Sequence, residues 1–419
     1  MEPLSTTRSR QTSVLSLVVI VSSLGYFVDI YDLLLFTIIR IRSLNDLGIT
    51  GDAQQTVGLS LLNFQMVGLL VGGILWGILG DKKGRLSVLF GSILLYSVGN
   101  IGNGLIHGPH VIFWYKFFRL IVGLGLAGEL GAGVTLVSEL LPADKRGYGT
   151  TIVASVGILG AVAAYFVAQI IPSWRVCYFV GGGLGLLLLI LRVGVLESGM
   201  YKAIQHLPVS KGNYLAFFTN ANRFFRYLTV ILLGLPAWYV VGILIAFSDG
   251  FAKTLQIQGT PDPGKAVMIS YTILTLGGLA CGYLSQLLKS RKKALYIFYI
   301  ICFLAVVAYF RAYHVSLATF YLICGLLGLG VGFWSVFVTV AAEQFGTNLR
   351  ATAAITAPNY ARGALPLITL LYHFLEKQVF QSNVLGAFWT GVICIGLAFL
   401  SALWLKETYG KDLNFVEKI

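Results

Sequence analysis

Two carboxylates, Asp29 and Asp32, stand three positions apart inside a long apolar stretch near the start of the chain. That spacing places both side chains on one face of a helix. Another apolar stretch carries Arg119 and, ten residues later, Glu129, which would share a helix face about 15 Å apart. An ionisable group at mid-bilayer costs about 2.5–3.5 kcal/mol even on lenient insertion scales, so these groups indicate chemistry. An aspartate facing an arginine in a closed cavity can exchange a proton as its access to water alternates.

We predict Asp29 or Asp32 as the proton-binding site. Arg119 is predicted to regulate that site, and Glu129 to act as a second carboxylate. The alternative is a set of static ion pairs that hold two helices together. An intramembrane aspartyl enzyme using Asp29 and Asp32 is a different class of function. Such an enzyme would draw its carboxylates from two helices and carry a Gly-x-Gly-Asp motif; the stretch ending at Asp81 lacks the first glycine, so no enzyme is predicted.

The elements that position these groups are predicted from composition. Hydrophobic residues make up 57% of the 419 residues, charged residues only 11%, and the mean hydropathy is +0.82. A bilayer core of about 30 Å needs about 20 apolar residues in a helix. We predict twelve transmembrane helices, at residues 13–39, 55–79, 86–106, 110–140, 148–172, 173–196, 225–249, 264–289, 293–314, 315–342, 350–375 and 382–406.

The net charge of +13 can indicate a nucleic-acid partner, but its distribution indicates a membrane. Lys and Arg concentrate in alternate loops, for example at 82–85, 145–146 and 289–293, as the positive-inside rule describes. Both termini are therefore predicted to be cytoplasmic, and no nucleic-acid partner is predicted. The five cysteines lie in or beside apolar spans without CxxC spacing, which predicts buried thiols and no metal site.

The two halves of the chain repeat each other. Segment 139–146 begins with Glu and ends with Arg, and so does segment 343–350, displaced by 204 positions. The Glu-Ser pair at Glu197 is echoed by the Glu-Thr pair at Glu407. These repeats predict two six-helix bundles. The predicted division is a cytoplasmic tail (1–12), an N-terminal bundle (13–197), a cytoplasmic linker (198–224), a C-terminal bundle (225–406) and a second cytoplasmic tail (407–419).

These motifs resemble a known family. The loop at 77–85, Gly-Ile-Leu-Gly-Asp-Lys-Lys-Gly-Arg, resembles the most common motif of the major facilitator superfamily, and the paired Glu motifs resemble its sugar-porter and metabolite:proton symporter branch. The resemblance covers nearly the whole chain. It implies an all-α polytopic membrane protein with two pseudo-symmetric six-helix bundles, in which helices 1, 4, 7 and 10 line a central cavity. The carboxylates of helix 1 and the charges of helix 4 would converge there.

A second group of charges lies at the predicted cytoplasmic helix ends. There, opposite charges and helix dipoles can bind one half to the other. The resemblance implies a network that closes the inner side when the cavity faces outward, although plain solvated loop charge is the alternative. The predicted gate consists of Asp81, Arg85, Glu139, Arg146 and Glu197 in the first half, and of Glu343, Arg350 and Glu407 in the second.

Substrate contacts are predicted from polar groups within the spans. Arg362 is a candidate for binding a carboxylate or phosphate, because a guanidinium forms two parallel hydrogen bonds with such groups; it can equally pair with a carboxylate of the protein. The predicted substrate-binding residues are Tyr26, Tyr31, Gln65, Tyr239, Trp334, Asn359 and Arg362.

Together these features predict a proton-coupled secondary transporter that imports a small polar, anionic or zwitterionic metabolite by alternating access. An organic acid, an amino acid or a carboxylate siderophore would fit. The alternatives are a proton-driven exporter, a neutral-sugar symporter and a solute sensor. Predicted partners are the substrate, protons and the lipid bilayer, with no cofactor and no obligatory protein partner. The predicted location is a bacterial cytoplasmic (inner) membrane.

Overall fold

The computed structural model describes residues 16–191 and 210–418, and these are almost entirely helical. Twelve long helical segments follow one another in this part of the chain. They are α1 (Leu17–Asp46), α2 (Asp52–Lys83), α3 (Arg85–Gly104), α4 (Val111–Leu140), α5 (Arg146–Ile170), α6 (Trp174–Leu191), α7 (Ala221–Ile245), α8 (Pro263–Leu287), α9 (Arg291–Phe310), α10 (Leu317–Glu343), α11 (Arg350–Gly363 and Leu365–Phe374) and α12 (Asn383–Trp404). A π-helical turn, Leu375–Phe380, extends α11.

Eleven of the twelve helices are long and apolar enough to cross a membrane, and α11 is the exception among the described residues. Its first segment is rich in Ala and Thr, carries Arg362 in its last turn and contains Pro358. The helix is interrupted after Gly363, and Pro366 follows at the start of the second segment. The span predicted at 350–375 is thus an interrupted, partly polar helix, because proline removes a backbone donor and glycine weakens helix.

Four other helices are irregular: α5 breaks at Leu159, α7 breaks at Gly234, and α4 and α10 change at equivalent places. The α4 backbone breaks at Ala127 and Gly128, between Val111–Leu126 and Glu129–Leu140. The α10 backbone tightens into a 3₁₀ turn at Val331–Phe333. Ala127 and Val331 are 204 positions apart, the same displacement that relates the Glu-x6-Arg segments. The repeat in the sequence is therefore also a repeat in backbone irregularity, and both breaks follow glycine-rich stretches.

Two of the contacts between the first six and last six helices show the use of small residues. Where α2 packs on α11, a Cβ added at Gly77 would lie 3.1 Å from the Thr352 backbone. Where α5 packs on α8, a Cβ at Gly278 would lie 2.6 Å from the hydroxyl of Ser155. Small residues let helices approach closely without an aqueous driving force. The predicted bundle boundaries stay predictions, and residues 192–209, which include the first part of the predicted linker, lie outside the described residues.

Candidate functional site

A small cavity lies between the two sets of helices. It encloses about 20 Å³, room for about one water molecule. Six helices contribute to its wall, α1 and α5 from the first half and α7, α8, α10 and α11 from the second. The lining residues are Tyr26, Ile30, Ile158, Ala237, Trp238, Val241, Tyr271, Leu274, Val331, Trp334 and Arg362.

Arg362 supplies the positive charge of this cavity and is 1% exposed. Its Nη2 donates to the Tyr26 hydroxyl at 3.3 Å, and its Nη1 donates to Asn359 Oδ1 at 3.4 Å. The guanidinium carbon lies 5.7 Å from the centre of the Trp334 ring, within cation–π range. Trp334 Nε1 also donates to the Tyr26 hydroxyl, at 3.1 Å. These contacts are long for charge-assisted hydrogen bonds, which are usually about 2.7–2.9 Å.

Both predicted proton-binding carboxylates are fully buried. Asp29 Oδ2 lies 3.9 Å from Arg362 Nη2, at the outer limit of an ion pair. Within residues 16–191 and 210–418, no hydrogen bond reaches either oxygen of Asp29 or of Asp32. Glu129 is 1% exposed and lies near enough to Asp29 for the two charges to repel. A buried carboxylate without hydrogen bonds is costly to ionise, which leaves it ready to take up a proton.

Arg119 contacts residues of α1 and α2. Its Nη2 donates to Gln65 Oε1, and its guanidinium carbon stands 4.8 Å from the centre of the Phe36 ring. Its charge attracts that of Asp32, which faces α6 at Gly181. The structure therefore pairs Asp29 with Arg362, whereas Arg119 and Asp32 attract each other without a hydrogen bond between them. Spacing along α1 could not distinguish these partners, since it places both aspartates on one face.

Three of the predicted substrate contacts, Tyr26, Trp334 and Arg362, line the cavity. Asn359 lies behind Arg362, and its Nδ2 donates at 2.8 Å to the carbonyl of Ala127, which the break in α4 exposes.

Tyr31, Gln65 and Tyr239 are outside the cavity wall. The Tyr31 hydroxyl donates to the carbonyl of Cys177 at 3.1 Å, and the Tyr239 hydroxyl to that of Ala387 at 2.8 Å. Gln65 Oε1 accepts a hydrogen bond from the guanidinium of Arg119 on α4.

Sequence reasoning missed Trp238 and Tyr271 in the cavity wall. Trp238 neighbours the predicted Tyr239, and one residue along a helix rotates the side chain by about 100°. Sequence reasoning also missed Asn100 and Asn103 on α3, which are buried and have no hydrogen bond in the described part of the chain.

The predicted gate forms a compact network at the helix ends remote from this cavity. Glu139 on α4 accepts two hydrogen bonds from Arg85, at 2.9 and 3.2 Å. Its Oε1 also accepts from Arg350 Nη1 at 2.8 Å. Arg350 begins α11, so this carboxylate joins the first half to the second. All three side chains are at most 7% exposed.

Asp81 makes a second connection between the halves. Its oxygens accept from the backbone amides of Ala351 and Thr352, at 3.1 and 2.9 Å, and from the Thr352 hydroxyl at 2.6 Å. A carboxylate at a helix N-terminus satisfies amides that have no partner within the helix. Gly84, with φ of 99°, provides the left-handed turn that returns the chain from α2 to α3 beside Asp81.

The second half repeats this arrangement with other residues. Glu343 accepts two hydrogen bonds from Arg291, at 3.1 and 3.3 Å. Glu407 accepts from the Ser290 hydroxyl at 2.5 Å and from the Arg291 amide at 2.9 Å, at the start of α9. Burial opposes ionisation of Glu407, but these hydrogen bonds, with that from the Tyr409 amide, hold its pKa below the usual value. Sequence reasoning missed Arg291, although it lies in the basic loop that mirrors 82–85.

The segment after α12 crosses this network. Arg350 Nη2 donates to the carbonyl of Leu413, and Arg146 Nη1 donates to that of Lys411 at 2.9 Å. Arg226 pairs with Glu417 at 2.8 Å. Arg146 thus contacts this C-terminal segment and makes no hydrogen bond to Glu343 in the described residues. Glu197, the remaining predicted gate residue, lies outside the described residues.

No metal site is visible in the described ranges, where no three His, Cys, Asp or Glu side chains form a possible metal cluster. The five cysteines are buried and unpaired.

Comparison with known proteins agrees with this architecture. Residues 14–357 match the family model described as Major Facilitator Superfamily. A putative metabolite transport protein of Haemophilus influenzae is 29% identical over 365 residues, covering 81% of this chain and 84% of its own. The niacin transporter NiaP of Acinetobacter baylyi is 25% identical over 397 residues, covering 85% of this chain and 87% of its own.

Solved structures show the same fold. The proton:xylose symporter XylE, bound to 6-bromo-6-deoxy-D-glucose, superposes with a TM-score of 0.75 at 15% identity, over 95% of this chain and 97% of that one. At that identity the likeness concerns the fold alone. The family match spans most of the chain, and this family and the relatives named above are transporters rather than enzymes. The chain belongs to the major facilitator superfamily of membrane transporters.

Proposed function

We propose that this transporter imports a small anionic or zwitterionic metabolite together with a proton. The observation that carries the proposal is the pairing of Asp29 with Arg362 at the central cavity. The two groups are 3.9 Å apart, are buried between the two sets of helices, and come from opposite halves of the chain. In a weakly held ion pair at such a place, a proton can neutralise the aspartate while a substrate anion binds the arginine. Because the two events depend on each other, a proton gradient can drive the uptake of the solute.

The two charges suggest how a proton and a substrate are coupled. While Asp29 is ionised, it neutralises Arg362 and competes with an anionic substrate for the guanidinium. When Asp29 takes up a proton, Arg362 loses its counter-charge and binds the substrate anion instead. Release of the proton on the other side restores the Asp29 pair and expels the anion. The carboxyl groups of Asp32 and Glu129 would then carry the proton between solvent and Asp29, and the fixed positive charge of Arg119 would regulate its uptake.

The gate network suggests how access alternates. In this structure it holds the two halves together through Glu139 and Asp81, while the cavity above it is closed. We place the network on the cytoplasmic side because the basic loops lie there. Opening to the cytoplasm would break the bonds from Arg350 to Glu139 and from the start of α11 to Asp81. The halves would rock around the central site, and the same network would re-form when the transporter resets.

The substrate class follows from the charge of the cavity and from the relatives. Arg362 favours an organic acid, an amino acid or a carboxylate siderophore over a neutral solute, and a related protein is a niacin transporter. A neutral-sugar symporter is the second candidate, because the fold is shared with XylE. A bacterial cytoplasmic membrane is the proposed location, since the named relatives are bacterial.

Uptake into proteoliposomes with an imposed inward proton gradient tests the proposal. Pools of radiolabelled organic acids, amino acids and sugars would be offered to the unaltered transporter and to Asp29→Asn. Asp262→Asn is the matched control, because Asp262 is an exposed helix cap remote from the cavity.

We expect gradient-driven accumulation of an acidic pool that disappears in Asp29→Asn and persists in Asp262→Asn. Accumulation that survives in Asp29→Asn would move the proton site to Asp32 or Glu129. Efflux of preloaded solute without uptake would replace the importer with an exporter.

A further inference from the structure

The wall of the central cavity is unusually aromatic for a site that carries a charge. Four of its residues, Tyr26, Trp238, Tyr271 and Trp334, have aromatic rings, and each is at most 6% exposed. They come from α1, α7, α8 and α10, so rings approach the cavity from both halves. A ligand between them would be surrounded by ring faces and edges.

The polar groups of the wall are few. Among the described residues, Arg362 is the charged residue of the wall, which contains no Asn, Gln, Ser or Thr; its other polar side-chain groups are two tyrosine hydroxyls and two indole N–H groups. A sugar has a hydroxyl on almost every carbon, and each buried hydroxyl without a partner costs free energy. A phosphate dianion would meet one guanidinium, whereas its oxygens could accept many more bonds. Both solutes therefore fit the wall poorly, whereas one carboxylate fits the single guanidinium.

Arg362 retains unused donor capacity. Its Nε has no hydrogen bond among the described residues, and its Nη contacts are 3.3 and 3.4 Å long. The side chains of Trp238 and Tyr271 likewise make no hydrogen bond in the part of the chain that the structure describes. A planar carboxylate presents two oxygens to a guanidinium fork, and its ring can stack on neighbouring aromatic faces.

We propose that the substrate is a flat aromatic monocarboxylate, such as a pyridine- or benzenecarboxylate. Arg362 binds its carboxylate, and Tyr26, Trp238, Tyr271 and Trp334 enclose its ring. This inference rests on the proposed function in taking the cavity as the transport site. The 25% identity to a niacin transporter supports the same chemistry, because niacin is a pyridinecarboxylate.

The size of the cavity sets a condition for binding. About 20 Å³ cannot hold an aromatic acid, so the structure is a closed form and the rings must separate before a ligand enters. Separation is possible because the ring-bearing helices belong to both halves, which rock relative to each other. The four rings then close around the ligand.

Binding of radiolabelled nicotinate to the purified full-length transporter, measured by scintillation proximity, tests the inference without requiring flux. Benzoate, nicotinamide, cyclohexanecarboxylate, xylose and phosphate serve as competitors. We expect benzoate to displace nicotinate. Nicotinamide lacks the carboxylate and cyclohexanecarboxylate lacks the aromatic ring, so each should compete at least about tenfold more weakly. Xylose and phosphate should not compete.

Variants of Trp238 locate the bound ring. Trp238→Leu removes an aromatic face without breaking a hydrogen bond, and we expect nicotinate affinity to fall about tenfold. Trp238→Phe should restore most of that affinity. Trp404→Leu is the control, because Trp404 is 78% exposed at the end of α12, and its affinity should be unchanged.

The outcomes separate this inference from the proposed function. No nicotinate binding at millimolar concentration, or equal competition by cyclohexanecarboxylate, overturns the aromatic substrate. If another anion is then accumulated by the proton gradient, proton-coupled import stands without it. If nicotinate binds but no gradient drives its accumulation, the aromatic site stands and proton-coupled import fails.

Discussion

Two buried charge clusters lie in this transporter, and they are built in opposite ways. At the gate, Glu139 accepts three hydrogen bonds from two arginines, at 2.8 to 3.2 Å. At the cavity, Asp29 accepts none in the described residues, and its nearest cation is 3.9 Å away. Both carboxylates are removed from water. The difference therefore lies in the partners that each carboxylate has and not in the depth of burial.

The contrast shows how charge can serve structure in one place and chemistry in another. A buried ion pair with complete hydrogen bonds is hard to break, because removing one partner strands the other in a medium of low dielectric. A buried carboxylate without hydrogen bonds has little to lose when it is neutralised by a proton. We therefore interpret the gate as a structural connection between the two halves, and the cavity as the site of proton and substrate binding.

The largest effect is expected at the gate. Glu139→Gln keeps the shape of the side chain but leaves Arg85 and Arg350 without their shared counter-charge. We expect the free energy of unfolding in detergent to fall by about 3–5 kcal/mol. Chemical denaturation measures it. A loss below about 1 kcal/mol would show that the network is no more than solvated surface charge.

A smaller effect on stability, but a large one on binding, is expected at the cavity. Arg362→Gln should weaken nicotinate binding about a hundredfold, because the carboxylate loses the guanidinium that faces it in the wall. The free energy of unfolding should change by less than about 1 kcal/mol, since the contacts of Arg362 are long and Asp29 can take up a proton. Arg362→Lys keeps the positive charge but lacks the two parallel donors of the guanidinium. Its nicotinate affinity should lie between that of the unaltered transporter and that of Arg362→Gln. A loss of stability as large as that of Glu139→Gln would show that Arg362, like the gate residues, has mainly a structural role.

Acid should weaken the gate through Glu407. Hydrogen bonds hold the folded-state pKa of this carboxyl below its ordinary value of 4.5. Its contribution to stability is therefore present above pH 4.5 and is lost as the pH falls through the lower folded-state pKa. Denaturation curves of the unaltered transporter and of Glu407→Gln should converge with acid. Parallel curves would mean that Glu407 ionises equally in the folded and unfolded chain.

The smallest effect is expected at an exposed ion pair at the C-terminal end of α1. Asp46 accepts from Arg175 at 2.6 Å and from Trp174 at 2.9 Å, but its side chain is 49% exposed. Asp46→Asn should change the free energy of unfolding by about 0–1 kcal/mol. Chemical denaturation alongside Glu139→Gln sharpens the comparison, since equal losses would contradict the role that we give to burial.

Much of this molecule could be predicted from its sequence. Apolar runs of sufficient length locate eleven helices, because a helix that spans lipid must be apolar over about 20 residues. The polar α11 also was expected as a helix, and its two prolines, Pro358 and Pro366, predict a kink in the region where the structure interrupts it after Gly363. The paired segments 139–146 and 343–350 led to the gate, because charges that recur at equivalent helix ends in both halves favour a shared structural role.

The partners of individual charges could not be predicted. Asp29 pairs with Arg362 from the other half, and only the packing of the two halves against each other decides this. Trp238 and Tyr271 are two aromatic residues among many, and no local pattern distinguishes a ring that faces the cavity from one that faces a neighbouring helix. Sequence spacing fixes the face of a helix, whereas the assembly of twelve helices fixes what that face meets.

Proton movement into proteoliposomes, followed with a pH-sensitive dye trapped inside, tests the central claim most directly. A downhill inward gradient of nicotinate, with no imposed pH gradient, should acidify the lumen through the unaltered transporter. With Asp29→Asn we expect exchange of labelled for unlabelled nicotinate to continue while acidification stops. Undiminished acidification with Asp29→Asn would contradict the assignment of the proton to Asp29.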